Sequence, residues 1–179
     1  RPAVSPDNQT AAFVFKGQIW SAPLDAHAKA SQLIHGRGAA SELRWSQDGT
    51  RLAFESDRGD HAFIGVYSVT EKSLHFLDPS ADRDSQPAWS LDSKQIAFIR
   101  QPASRYAFFF GPKRTAEPWS IRVADSASGK SREVWHADPG QGSAFFPVSA
   151  LNQLLWAKND RLIFPWERDG WMHLYSTSV

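Results

Sequence analysis

An all-β fold, a β-propeller of four-stranded antiparallel blades, is what three features of this 179-residue chain predict. One is a gap-free repeat. "SPDNQTAAFVF" from Ser5, "SQDGTRLAFES" from Ser46 and "SLDSKQIAFIR" from Ser90 each read Ser-x-Asp, a short turn, then an apolar residue followed by Ala-Phe. The second is spacing: 41 residues separate Ser5 from Ser46 and 44 separate Ser46 from Ser90, within the roughly 40 to 50 of a propeller blade. The third is periodicity. Short runs rich in aromatic and β-branched residues alternate with turn residues, and no 3.6-residue period interrupts them.

The elements follow in order. The first repeat supplies "RPAVS", "TAAFVF", "GQIWSAPL" and "SQLIHG". The second gives "SELRW", "TRLAFES", "HAFIGVYSV" and "KSLHFLD", and the third "PAWS", "QIAFIR", "PWSIRVAD" and "REVWHA". A degenerate fourth copy, "LLWAKNDRLIFPWE" from Leu154, turns at Asn159-Asp160 and puts Leu162, Ile163 and Phe164 in place of the apolar triplet. Blades are therefore expected at 1–42, 43–86, 87–153 with loop insertions, and 154–179, the last incomplete. All of 1–179 then forms part of one propeller domain of about four blades. Such an open arc exposes unpaired edges, and the chain opens at Arg1 inside a strand-like pattern. The expectation is an excerpt of a longer protein.

Each repeated residue has a physical task. Trp45 and Trp89 precede the Ser-x-Asp turn where a large side chain can fill the wedge between neighbouring sheets, with Val4 and Trp156 at the matching places. Asp48-Gly49 is the pair preferred in a two-residue hairpin, since Gly accepts positive φ. Asp7-Asn8 and Asp92-Ser93 serve in the other copies, and the strand after the turn is expected to bury both faces. Two segments break the pattern: 101–118, "QPASRYAFFFGPKRTAEP", and 137–153, "ADPGQGSAFFPVSALNQ". Long loops on a rigid sheet scaffold are where binding tends to reside.

Composition removes several function classes. Lys and Arg number 20 against 19 Asp and Glu, which leaves no electrostatic footprint for nucleic acid. No apolar stretch approaches the roughly 20 residues of a membrane span. Zero cysteines exclude disulfides, thiolate nucleophiles and Cys-type zinc sites. The histidines at 27, 35, 61, 75, 136 and 173 show no ligand spacing, so neither metal nor cofactor is expected. The acids of Trp45–Asp60 are split by a whole strand, unlike a calcium loop. Arg58-Gly59-Asp60 reads as a hairpin turn, Asn8-Gln9-Thr10 as a sequon coinciding with a repeat turn, and "GRGAAS" from Gly36 lacks a dinucleotide loop's third glycine. Trp45, Trp89, Trp119 and Trp156 fall on repeat strands and are assigned to the core. Trp166 and Trp171 flank Arg168-Asp169-Gly170, where they could clasp a hairpin. His173 is read as a satisfied structural imidazole.

The Ser-x-Asp-Gly-x-x-apolar-Ala-Phe repeats resemble those of TolB-type propellers and of the propeller domain in prolyl oligopeptidase family serine peptidases. The fourth repeat separates the two. "FPWERDGWMHLYS", from Phe164, is similar to the "SERDG-aromatic-x-HLY" segment of the dipeptidyl peptidase four branch. "SIRVADSASGKSREVW" resembles the strand pair before it, and "DHAFIGVYSVTEKSLHFLDPSADRDSQPAWS" resembles bacterial members.

The resemblance implies a parent enzyme with a propeller of seven or eight blades and a carboxy-terminal α/β-hydrolase domain, absent from this chain, that cleaves short peptides from an N-terminus. No Gly-x-Ser-x-Gly elbow occurs here, so no catalytic residue is assigned and the segment is expected to gate peptide access. The implied partners are that hydrolase domain and short peptide substrates, with a homodimer compatible; the implied location is periplasmic or secreted ahead of cytoplasmic. The branch's glutamate pair for the substrate amine is missing, and Glu117 and Arg105, on the long loop of the third repeat, are the substrate-facing candidates. The competing reading is a TolB-like or WD-repeat propeller that acts only as a protein-binding scaffold. A propeller enzyme with a site in its own central channel ranks third.

Overall fold

The computed structural model describes residues 2–25, 27–103, 118–145 and 152–179. Strands β1 (Ala3–Val4), β2 (Thr10–Phe15), β3 (Gln18–Pro23) and β4 (Ser31–Ile34) form a first antiparallel sheet in chain order. β5 (Ala39–Trp45), β6 (Arg51–Asp57), β7 (Ala62–Ser68) and β8 (Ser73–Phe76) make the second. The third holds β9 (Arg83–Trp89), β10 (Gln95–Gln101), β11 (Ser120–Asp125) and β12 (Ser131–His136). One parallel pairing, Ala62 with Arg83, joins the second and third. β13 (Leu155–Ala157), β14 (Arg161–Glu167) and β15 (Met172–Ser178) form the fourth. First strands adjoin in sequence, β1 on β5, β5 on β9 and β9 on β13. These strands therefore line the axis, and the architecture is the β-propeller that the repeats predict.

Successive sheets are separated by three apolar cores, and β6 and β10, the strands after the second and third Ser-x-Asp turns, each feed two of them. β2, in the first sheet, enters only one, through Ala12, so the expected burial of both faces fails there for want of a sheet on its other side among the described residues. Leu52 and Phe54 of β6 pack with Ala12, Ile19 and Ile34 of the first sheet, while Ala53 between them packs with Ile96 and Phe98 of the third. On β10, Ala97 and Ile99 turn the other way, toward Leu162, Phe164 and Trp166. Alternate residues of a strand point to opposite faces, so one apolar run serves two interfaces. Each large side chain so buried contributes about 1.5–3 kcal/mol.

The wedge residues do more than fill space. The Trp45 indole N–H donates to the Ala3 carbonyl at 3.0 Å, and that of Trp89 to the Arg44 carbonyl at 3.0 Å. In both, the acceptor lies one residue before the equivalent position of the preceding repeat. Each tryptophan thus ties its first strand to the previous one.

The Ser-x-Asp turns repeat atom for atom. Ser5, Ser46 and Ser90 are buried, and their hydroxyls accept the N–H of Thr10, Arg51 and Gln95 at 3.0, 3.0 and 2.9 Å. The same hydroxyls donate to Asp7, Asp48 and Asp92 at 2.5, 2.6 and 2.7 Å. Those aspartates also accept the N–H of Gln9, Thr50 and Lys94. Asn8, Gly49 and Ser93 occupy the left-handed region at φ 57°, 71° and 62°. The serine bonds hold Asp7 and Asp92 below the usual carboxylate range. At Asp48 burial works upward, yet the bonds from Ser46 and Thr50 leave it lowered too.

Two expectations need correction. The turn at Asp48-Gly49 is not a two-residue hairpin: Ser46 N–H bonds the Arg51 carbonyl at 2.9 Å, so residues 47–50 intervene. Within the loop the Gly49 N–H donates to the Ser46 carbonyl at 3.0 Å, and the buried serine side chain adds the remaining internal bonds. Nor do Trp166 and Trp171 clasp a hairpin. The register pairs Trp166 with His173 and Glu167 with Met172, which leaves Trp171 in the turn, 76% exposed. Arg58-Gly59-Asp60 is a turn, closed by Arg58 N–H on the His61 carbonyl at 2.9 Å with Gly59 at φ 98°.

Replacing Ser46 with Ala is expected to cost about 1–2 kcal/mol in urea unfolding, because the Arg51 N–H and the Asp48 carboxylate lose their shared partner. A cost indistinguishable from zero would remove the hydroxyl from the account of the turn.

Candidate functional site

The Ser-x-Asp turns lie at one end of the arc and the described roots of both long segments at the other. β10 exits at Gln101, paired with Arg83 at the start of β9, and β11 enters at Ser120, paired with His136 at the end of β12. Arg105 and Glu117 lie outside the described residues. The roots of their segment, Pro102 and Pro118, are described, and between them opens a cavity of about 490 Å³ walled by Asp82, Arg100, Ser120, Arg122, Glu133 and His136. That volume is within the range of small-molecule sites.

Arg100 and Arg122 of the cleft wall belong to a charge network built on the buried Asp84 and the partly exposed Asp78. Arg100 on β10 makes a bidentate pair with Asp84 on β9, 2.7 Å from Nε to Oδ1 and 2.8 Å from Nη2 to Oδ2. Its Nη2 also donates to the Asp78 carbonyl at 2.7 Å. Arg122 on β11 donates to Ser131 at 2.7 Å and to the Asp78 carboxylate at 3.2 Å, and Ser131 donates to the same carboxylate. Asp84 has no solvent exposure, so burial pushes its carboxyl up while Arg100 pulls it down. For Arg100 burial opposes the charge, but the carboxylate of Asp84 outweighs it. The Ser131 hydroxyl, with Arg100 and Arg122, holds Asp78 below the usual range against some desolvation.

His136, also on the wall, stands 3.3 Å from Glu133. Ser120 faces His136 across the strand pair, yet among the described residues no side chain hydrogen-bonds its hydroxyl. Chemically the cleft offers fixed cations beside acids, an arrangement suited to holding a polar chain bearing both charges.

A second polar group sits between the second and third sheets. Glu42 and Gln86 occupy equivalent bulges on β5 and β9, with φ 51° and 57°. The Glu42 carboxylate accepts the Gln86 backbone N–H at 2.5 Å and its side-chain amide. Gln86 Oε1 in turn accepts the Gln153 N–H at 3.0 Å. Nearby, Glu55 is pushed up to about 7, first by burial and then by the charges of Glu42 and Asp57, with Arg83 opposing. Arg83 also bridges Asp57 at 3.1 Å and the Gly59 carbonyl at 2.7 Å.

Sequence reasoning missed this relay and the Asp84–Arg100 pair. Glu42, Gln86 and Gln153 each stand three residues before the wedge tryptophans 45, 89 and 156, a periodicity that was present to be read. The ion pair had no comparable signal. Of the other assigned residues, Trp89 and Trp119 are buried, and Trp45 and Trp156 pack on cores. His173 is exposed, 3.9 Å from Asp169, rather than enclosed in structure.

No family model matches the sequence, and no curated protein matches it. Solved structures do. TolB from Acinetobacter baumannii shares 20% identity with a TM-score of 0.58, over 99% of this chain and 42% of that one. An oligogalacturonate lyase in complex with manganese gives 12% and 0.68, over 98% and 49%. Dipeptidyl peptidase 4 from Porphyromonas gingivalis gives 14% and 0.57, over 92% and 28%. At such identities the likeness is one of fold, and the chain spans less than half of each of these proteins.

Asp84→Asn is expected to destabilise by about 1.5–3 kcal/mol in urea, since it removes the charged bidentate partner of Arg100 and leaves it the Asp78 carboxylate at 3.5 Å; a loss near zero would mean the pair is solvated. Glu55, raised in the fold, keeps its proton more readily there than in the unfolded chain. Stability is therefore expected to fall as pH rises from about 4.5 to about 7. Glu55→Gln should flatten that slope in melting curves, and an unchanged slope would assign the titration elsewhere.

Proposed function

We propose that this chain is the propeller part of a prolyl oligopeptidase family serine peptidase of the dipeptidyl peptidase type. Its role there is to admit short unstructured peptides to a separate α/β-hydrolase domain and to exclude folded proteins. The observation that carries the reading is the fourth repeat, where "WERDGWMHLY" follows the propeller repeats. A TolB-like scaffold accounts for the repeats but gives no reason for that hairpin.

Three further features support the reading. The fold is shared with a dipeptidyl peptidase of which this chain spans 28%, leaving room for a hydrolase domain in a protein of that size. The described roots of both long segments lie at one end, the end at which loops on a sheet scaffold would meet a second domain or a substrate. The cleft at their roots presents Arg100, Arg122 and His136 beside Asp82 and Glu133, complementary to the charges of a short peptide. Arg105 and Glu117, which fall between Pro102 and Pro118 in the sequence, are the proposed substrate-facing residues.

Two measurements test the proposal. Sequencing the natural gene beyond the codon for Val179 is expected to reveal a Gly-x-Ser-x-Gly elbow; an ending after a few more repeats would establish the scaffold instead. Dipeptide reporters containing proline are expected to show no turnover by residues 1–179 alone. Clear turnover would overturn the placement of the chemistry in another domain.

A further inference from the structure

Equivalent repeat positions are packed in the second and third sheets and open in the first. Trp45, Leu52 and Phe54 pack back onto the first sheet, and Trp89, Ile96 and Phe98 onto the second. The gap-free alignment puts Val4, Ala11 and Phe13 at these positions, yet Val4 is 47% exposed and Phe13 only half-buried. Two residues further on, where the second and third sheets carry Ser56 and Arg100, the first carries Phe15, 52% exposed. Trp20, opposite Phe13 in the register, meets Phe15 edge-on with ring centroids 5.9 Å apart. Among the described residues no sheet covers this aromatic face.

The fourth sheet carries its counterpart. Leu162, Phe164 and Trp166 of β14 face the third sheet, so the intervening Ile163 and Pro165 face away from it. The register sets Leu155 beside Ile163 and Leu174 beside Pro165, and both leucines are exposed, at 45% and 77%. Ile163 stands where the earlier repeats have Ala12, Ala53 and Ala97, which share cores with Phe54, Phe98 and Phe164 of the following sheets. By the same rule Ile163 is due a repeat phenylalanine, and Phe13 is the repeat phenylalanine that no preceding sheet receives. Phe15 and Leu174 likewise occupy the places of Trp166 and Ile121, which share the core between the third and fourth sheets. The chain thus holds both halves of one more interface of the kind it already forms between its own sheets.

We propose that two copies of this chain associate head to tail, the outer face of each fourth sheet covering the outer face of the other copy's first sheet. Contacts of this heterologous kind either close into a ring or grow without end. Four-sheet arcs so joined close at two copies, because eight sheets fall within the four to eight blades of closed propellers and twelve do not. The occupant is a second copy because both faces belong to this chain and match at repeat positions. The inference concerns residues 1–179 as they stand and does not rest on the peptidase reading, which the gene sequence tests separately.

Sedimentation equilibrium of residues 1–179 is expected to show a dimer and no larger species. Phe15→Lys and Leu174→Glu alter exposed positions outside the apolar cores, so each variant should keep the wild-type circular dichroism. Each alone should dissociate about a hundredfold more readily, since it weakens both contacts of the ring by about tenfold, the worth of one large apolar side chain. A one-to-one mixture of the two should recover most of that loss, because one of its contacts is wild type and the other opposes unlike charges. Should either variant lose its fold, Val4→Lys or Leu155→Glu, on the same two faces, takes its place. A monomeric wild-type chain overturns the proposal, as does a ladder of species beyond two chains or a mixture that stays dissociated. So does a dimer that yields to Leu174→Glu but not to Phe15→Lys, the sign of pairing between the free edges of two β15 strands.

Discussion

Everything in this arc depends on a strand that must be covered on both faces. β6 and β10 carry apolar residues at consecutive positions, so neither can sit at the surface of a two-layer sandwich; each needs a sheet on either side. Repetition is the solution, since every sheet supplies one cover to its predecessor and one to its successor. A tryptophan fills each wedge sterically, and Trp45 and Trp89, through their indole N–H groups, also fix the register of first strand on first strand. A hydrogen bond that reaches one residue before its own equivalent in the previous repeat leaves little freedom for one sheet to slide on the next.

Division of labour between the two ends follows from this. At the Ser-x-Asp end the polar groups are consumed by architecture: serine, aspartate and backbone N–H satisfy one another, and little remains to meet a ligand. At the opposite end the strands close on loops of variable length, and polar side chains left over from the sheet interiors collect there. Asp84, Arg100, Arg122 and Asp78 illustrate the cost of burying charge, tolerated because Arg100 has the bidentate pair with Asp84 and the Asp78 carbonyl, while Arg122 and Asp78 are satisfied by each other and by Ser131. With the Arg83–Asp57 bridge and the Glu42–Gln86–Gln153 relay, these contacts bind neighbouring sheets where apolar packing thins toward the axis and the rim.

Much of the fold was legible in the residues. Spacing, strand content and the serine-led turns all follow from local chemistry that a linear text preserves, as does the assignment of Trp45, Trp89, Trp119 and Trp156 to packing. The length of the repeat turn was misjudged because Asp48-Gly49 is a strong hairpin pair in isolation, and the buried serine hydroxyl that lengthens the loop acts from outside that pair. The Trp166–Trp171 clasp failed for a related reason: register decides which residues oppose one another, and it was set by pairing along all of β14 and β15.

The sequence by itself determined the repeating unit, its strands and turns, and the wedge residue, because each is encoded within a dozen neighbouring positions. Only the tertiary structure decided which charges meet. Asp84 and Arg100 are 16 residues apart, Glu42 and Gln86 44 apart, and Arg44 and Asn152 108 apart, and each pair forms only where adjoining strands or stacked sheets carry it together. Electrostatic partnership falls off over a few ångströms and takes no account of position along the chain. The candidate cleft is therefore a property of the arc, assembled from residues that, read singly, looked like ordinary surface charge.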